Sequence, residues 1–186
     1  MDHPLSEALA RADVLFDRAA LDAAIARMAG DIRADYAGER PLYLTIMHGG
    51  MPFAGLLALH LGEGGAVDPE FDYLHATRYR GKTSGAELHW LHRPATPLAG
   101  RRVLLVDDIL DEGHTLAAVR DWCLGEGAAE VRIAALAVKR HDRCVPGIAA
   151  DYVGVEVPDR YVFGFGMDYH EQGRGLPAIL ALREDA

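Results

Sequence analysis

Apolar positions along the chain alternate between two spacings, and the alternation predicts strands feeding helices. After a short strand-like Val14-Leu15-Phe16, Asp17 stands as a candidate N-cap. Leu21, Ile25, Met28 and Ile32 then recur on one helical face. Gly38 and Pro41 interrupt. Leu42 to Met47 reads as a buried strand, and it enters His48-Gly49-Gly50 before a helix from about Pro52 to Leu61. Gly62 to Pro69 reads as a loop and Phe71 to Ala76 as a strand. A polar stretch from Arg78 to Gly85 separates that strand from a strand-like Glu87 to Leu91; the two sides predict a hairpin or a mobile flap.

The most strongly patterned strand is Val103 to Val106. Leu116, Val119 and Cys123 mark the buried side of the next helix, which Gly125 and Gly127 end. Val131 to Val138 predicts another buried strand. Tyr152 to Val157 and Tyr161 to Phe165 predict two short ones, parted by Pro158-Asp159. Strands alternating with helices imply an open, mostly parallel α/β sheet. Ligands of such sheets sit beyond the carboxyl ends of the strands. Three chemically loaded loops follow strands here: 48–50, 107–115 and 139–143.

The 107–115 loop carries the densest chemistry. Asp107 and Asp108 follow the buried run, Asp111 comes three residues later, and then Gly113, His114 and Thr115 open a helix. A glycine turn into a helix aims backbone N–H groups and the helix dipole at one point, which suits a phosphate. Three carboxylates beside it would repel a bare phosphate. Ribose hydroxyls as donors and Mg²⁺ as counter-charge give them another task. Phosphate, ribose diol and magnesium together point to a phosphorylated sugar. A solvated acidic turn with a helix cap is the simpler alternative.

The run Val-Leu-Leu-Val-Asp-Asp also matches the opening of a response-regulator receiver domain. Such a domain needs a phosphate-accepting Asp after a second strand and a later lysine. Glu156 occupies the acceptor place, and the chain's two lysines are Lys82 and Lys139, so no lysine follows. His48-Gly49-Gly50 fits either a tight β–α turn or a close backbone approach to an anion. Lys139-Arg140 ends a strand, as a snorkelling surface cation or as a donor to a ligand carbonyl. Tyr161 to Asp168 is aromatic-rich, suited to core packing or to capping a flat ligand.

Composition narrows the classes. The chain has 186 residues, half of them hydrophobic and a quarter charged, which fits one domain with a sizeable core. A formal net charge of −9 argues against a broad nucleic-acid or anionic-membrane surface. Two cysteines, Cys123 and Cys144, lack metal-ligand spacing and fit a reducing cytoplasm. The N-terminus shows no secretory pattern, and no apolar run reaches membrane-span length.

Taken together, these segments resemble the purine-salvage type I phosphoribosyltransferases, in particular their hypoxanthine-guanine branch. The likeness runs from about Asp17 to Leu182. Its core is Val103 to Thr115, which resembles the phosphoribosyl-pyrophosphate signature of the wider superfamily. Leu136-Ala-Val-Lys139-Arg140 and Tyr161-Val-Phe-Gly-Phe-Gly-Met-Asp168, with Arg174, resemble the hypoxanthine-guanine branch.

The resemblance implies a fold, a reaction and a set of roles. The fold would be a single parallel-sheet domain over residues 1–186, with a hood from the N- and C-terminal segments and a flap over about 77–91. A 6-oxopurine would displace pyrophosphate from phosphoribosyl pyrophosphate, giving the nucleoside 5′-monophosphate. Asp107 and Asp108 would hold the ribose and help organise Mg²⁺. Asp111 would accept the purine proton. Glu112, Gly113, His114 and Thr115 would cradle the 5′-phosphate. Lys139 would donate to the purine 6-oxo group, Tyr161 stack on the base, and Val162 read its edge. Asp168 would face the purine and the metal. His48, Gly49 and Arg174 would grip pyrophosphate, and Arg78 and Tyr79 belong to the flap. A homo-oligomer, dimer or tetramer, is implied in the same way. Glu112 departs from the threonine common at its position, so an acid there should turn from the phosphate or weaken its binding. A xanthine or other-base transferase, or a non-enzymatic RNA-binding regulator on the same fold, stays open at this point.

Overall fold

The computed structural model of the chain describes residues 3–78 and 88–184. In chain order its elements are α1 (Leu5–Ala10), β1 (Ala12–Phe16), α2 (Arg18–Asp35), β2 (Leu42–Ile46), α3 (Met51–Leu61), β3 (Glu70–Arg78), β4 (Leu88–His92), β5 (Arg102–Leu110), α4 (His114–Gly125), β6 (Glu130–Lys139), β7 (Tyr152–Val157), β8 (Val162–Phe163) and β9 (Ile179–Leu182). A 3₁₀ turn, Glu63–Gly65, lies within the expected loop.

Six strands form the main sheet in the order β4-β3-β2-β5-β6-β7. All neighbours run parallel except β4, which pairs antiparallel with β3 as a hairpin stem. The intervening stretch 79–87, with Tyr79 and most of the expected flap, lies outside the described residues. A second, three-stranded sheet, β1-β9-β8, is built from the two ends of the chain. This is the small cap expected from the N- and C-terminal segments.

Side-chain alternation along β5 explains the layering. Leu104 and Val106 point into a core shared with Leu21, Ile25 and Met28 of α2 and Phe53 and Leu57 of α3. Val103 and Leu105 point the other way, onto Leu116, Val119 and Cys123 of α4. With both faces covered, the strand must be apolar throughout, which is why it reads as a continuous run. Each fully buried Leu or Val there contributes roughly 1.5–3 kcal/mol. Asp17 caps α2 as expected, its Oδ1 accepting the Ala20 N–H at 2.9 Å.

Two boundaries differ from the sequence reading in ways that matter for the site. The ladder between β5 and β6 continues to the pair Leu110↔Val138, so Asp107 and Asp108 lie on the strand. The ladder between β5 and β2 stops at Thr45↔Val106. One edge of β5 therefore opens at Asp107, where the chain of β2 turns away into His48-Gly49-Gly50. Two elements, α1 and β9, carried no readable pattern. Six residues are too few to show helical periodicity, and Ile179–Leu182 lacks polar alternation because both its faces are packed, Ile179 and Ala181 against one core cluster and Leu180 and Leu182 against another.

Candidate active site

The carboxyl ends of β2, β3, β5 and β6 and the segment after β8 surround a cavity of about 710 Å³. It is lined by His48, Gly49, His75, Asp107, Asp108, Asp111, Thr115, Lys139, Tyr161, Val162, Asp168 and Arg174, among others. A neighbouring cavity of about 390 Å³ is lined by Asp107, Asp108, Asp111 and the run Glu112 to Leu116. Apart from Arg78, the sequence-derived candidates among the described residues line these two cavities. Arg78 ends β3, at the base of the hairpin.

Backbone geometry brings the loops together. A Cβ on Gly49 would overlap the Asp108 carboxylate, and one on Gly166 would overlap the Gly49 carbonyl. Gly166 also has φ +106°, a conformation L side chains rarely adopt. Glycine at both positions lets the β2 turn, the β5 strand and the β8 segment meet at Asp108.

At the smaller cavity, Gly113 takes φ +79° as the N-cap of α4 and supplies no capping side chain. The first amides of α4 are therefore uncapped by any side chain, the arrangement that receives anions. Two side chains approach the Glu112 carboxylate: the His114 ring, its Nε2 3.6 Å away, and the Arg143 guanidinium, its Nε 3.8 Å away. The Arg143 guanidinium is the positive charge set against the acid expected to oppose a phosphate here.

Asp107 and Asp108 are packed side by side. The Asp108 N–H donates to Asp107 Oδ1 at 3.0 Å. Burial, and then the neighbouring Asp108 charge, push the Asp107 carboxyl well above the usual range. Asp108 is also raised by burial, against the pull of Asp107 and of the Arg174 guanidinium. Such a pair calls for positive charge or donor hydroxyls. Among the described residues, no cluster of three or more His, Cys, Asp or Glu converges as a metal cage. The fit is instead to a hard divalent cation held by one or two carboxylates and completed by oxygens of the substrate, the usual mode for Mg²⁺.

Asp111 accepts two hydrogen bonds, from Lys139 Nζ at 2.5 Å on Oδ2 and from His141 Nε2 at 2.7 Å on Oδ1. Burial raises its pKa, but the Lys139 and His141 hydrogen bonds outweigh that and hold the carboxyl below the ordinary value. Across the cavity, Tyr161 is about half exposed, a ring available for stacking, while Val162 is buried on β8. Arg174 donates to the Gly166 carbonyl at 2.8 Å and pairs with Asp168 at 2.8 Å. Asp168 also accepts the Glu171 N–H at 2.9 Å.

Two histidines join the site that sequence reading passed over. His75 sits one residue beyond the pair Ile46↔Leu74 and packs edge-on against His48, ring centroids 4.4 Å apart. Its signal was a polar residue near the carboxyl end of an apolar parallel strand. His141 lies two residues past Lys139, inside a loop already marked as loaded, but nothing in the spacing linked it to Asp111.

An open parallel sheet with a phosphate-type helix N-terminus, an acidic pair and a base-sized cavity at its carboxyl edge defines a nucleotide- or sugar-phosphate-handling α/β protein. Comparison with known proteins sharpens this. Residues 12–172 match the family model described as phosphoribosyl transferase domain. A hypoxanthine-guanine phosphoribosyltransferase of Streptococcus thermophilus is 34% identical over 173 residues, covering 92% of this chain and 93% of that protein. The structure of a hypoxanthine phosphoribosyltransferase from Staphylococcus aureus superposes with TM-score 0.84 at 26% identity, covering 92% of this chain and 91% of the other. A hypoxanthine-guanine-xanthine phosphoribosyltransferase superposes with TM-score 0.82 at 26% identity, over 92% and 97% of the two chains. The chain belongs to the phosphoribosyl transferase family.

Proposed function

We propose that the protein transfers the 5-phosphoribosyl group from phosphoribosyl pyrophosphate to hypoxanthine or guanine, releasing pyrophosphate, as a purine-salvage enzyme. The observation that carries this reading is the Asp111–Lys139 pair lining the large cavity. A 6-oxopurine presents a carbonyl oxygen and, next to it, the N7 proton. A cation and a carboxylate side by side match those two groups in order.

In this reading the 5′-phosphate rests on the uncapped amides of α4 and the Thr115 hydroxyl. Asp107 and Asp108 accept from the ribose hydroxyls. Asp107, Asp108 and Asp168 would be the carboxylates to hold Mg²⁺, which when bound would supply counter-charge to the pyrophosphate. Purine N9 bonds to C1 as the bond from C1 to the pyrophosphate oxygen breaks, and the N7 proton passes to Asp111 Oδ2. Lys139 moves its donor from Asp111 to the 6-oxo oxygen. Arg174, His48 and the Gly49 backbone stabilise charge growing on the leaving group. Tyr161 covers one face of the base.

Xanthine is kept as a second acceptor because the structural relatives include a protein named for it. Assembly as a homo-oligomer is also proposed. The exposed Met51, Leu59 and Phe71 support it as apolar surface to bury. No described helix is long and apolar enough to cross a membrane.

Nucleotide formation from phosphoribosyl pyrophosphate and Mg²⁺, with hypoxanthine, guanine, xanthine and adenine in parallel, tests the reading. Turnover with hypoxanthine or guanine and little with adenine is expected. Adenine preferred over all three would overturn the role given to Lys139.

A further inference from the structure

The two oxygens of Asp111 face different surroundings. Oδ2 receives Lys139, which lines the large cavity. Oδ1 receives His141, whose side chain is only 2% exposed and lines neither cavity of the site. His141 is fixed in turn at its other nitrogen, because Nδ1 accepts the N–H of Arg143 at 3.1 Å. A nitrogen that accepts cannot carry a hydrogen, so the neutral ring holds its single hydrogen on Nε2 and donates it to the carboxylate. Arg143 is itself anchored, its guanidinium forming two hydrogen bonds to Asp159 at 2.7 and 2.8 Å.

From this chain of contacts we propose that His141 is a positioning residue for proton transfer: it clamps Asp111 through Oδ1 so that Oδ2 faces the purine N7. The inference rests on the reading of Asp111 as proton acceptor. A carboxylate on a short turn rotates freely about its last bond unless one oxygen is held. When Lys139 swings to the 6-oxo group, His141 is the donor that stays. It keeps the carboxylate aimed, and ionised until the proton arrives. The N7 proton still ends on Asp111, and His141 neither gains nor loses one.

The charged and titratable groups around Asp111 come from two elements. Lys139 ends β6, and His141 and Arg143 follow in the next loop; Glu112 adjoins Asp111 on its own turn. Of these, Lys139 and His141 hydrogen-bond to it directly, and both lower its proton affinity. Removing the His141 donor should therefore raise the acid limb of the kcat profile, while the 5′-phosphate site at α4 is untouched.

The test compares His141→Leu, His141→Gln and Asp111→Asn. His141→Leu keeps an apolar side chain of similar reach but no donor. Its kcat is expected to fall about 10- to 100-fold, the scale of a hydrogen bond to a charged group. The KM for phosphoribosyl pyrophosphate should hold, and the acid limb should move upward. His141→Gln, whose amide places a donor near Nε2, is expected to restore most of kcat and return the limb. Unchanged kcat and limb in His141→Leu, with turnover lost in Asp111→Asn, would overturn the proposal and leave the Asp111 reading standing. Full turnover in Asp111→Asn would overturn both. Should His141→Leu fail to fold, ¹⁵N NMR of the wild-type imidazole decides. A hydrogen on Nε2 whose signal shifts in Asp111→Asn is expected, and a hydrogen on Nδ1 would overturn the clamp.

Discussion

Lys139 Nζ lies 2.5 Å from Asp111 Oδ2, and both side chains line the same cavity. A cation and a base that neutralise each other in the unliganded protein must separate when the substrate arrives between them. Lys139→Met should therefore raise the KM for hypoxanthine and lower kcat/KM by about 10- to 100-fold, the loss of one charged hydrogen bond. Its KM for phosphoribosyl pyrophosphate should stay near that of the wild type. Steady-state kinetics with each substrate varied separately would check this; an unchanged hypoxanthine KM would remove Lys139 from the base pocket.

Gly166→Ala tests how the loops are joined. The new methyl would meet the Gly49 carbonyl, which is backbone and cannot swing aside, and the residue would keep a φ of +106°. Overpacking of this kind costs about 1–3 kcal/mol before backbone strain is added. Melting should fall by several degrees, at about 2–4 °C per kcal/mol for a chain of this size. Phosphoribosyl-pyrophosphate binding should weaken with it, since the new methyl would press on both Gly49 and Asp108.

The acidic pair should cost stability when unliganded. Asp107 is raised well above the ordinary carboxylate value, by burial and by Asp108. Between the ordinary and the raised value the folded chain binds more protons than the unfolded one. Stability is thus lost as pH rises through that window, and the full penalty is present above it. Asp107→Asn should melt a few degrees higher than wild type at neutral pH in a chelating buffer, and the gap should close in acid, where both carboxyls are protonated. Calorimetry across pH measures this. A lower melting point for the variant at neutral pH would contradict it.

His75 predicts proton uptake on binding pyrophosphate. Burial, then the His48 and Arg174 charges, hold its imidazole below the ordinary value, while Glu171 acts in the opposite sense. An incoming anion would favour the imidazolium. Pyrophosphate affinity should then rise as pH falls toward about 6.5, the ordinary imidazole value. Titration calorimetry in buffers of different ionisation enthalpy should register the proton, and His75→Gln should lose most of it. Equal uptake in the variant would assign the proton elsewhere.

What was legible beforehand follows from which forces are local. The strand Val103 to Val106, the Asp17 cap and the glycine turn into α4 each follow from a few adjacent residues, and each stands where the pattern put it. The full length of β5 was hidden because its last residues are held by β6, a neighbour about 28 positions away along the ladder. The His141–Asp111 contact was hidden for the same reason, being formed by two loops brought together only by that ladder. The His48–His75 contact depends likewise on the register between β2 and β3.

The most direct test of the central claim is Asp111→Asn against wild type, with hypoxanthine turnover and phosphoribosyl-pyrophosphate binding measured on the same preparations. Wild type should form the nucleotide. The variant should bind phosphoribosyl pyrophosphate with similar affinity and turn over about 10²- to 10⁴-fold more slowly, the usual contribution of a positioned acid–base group. Equal turnover by the two proteins, or no nucleotide from wild type that binds phosphoribosyl pyrophosphate, would contradict the account.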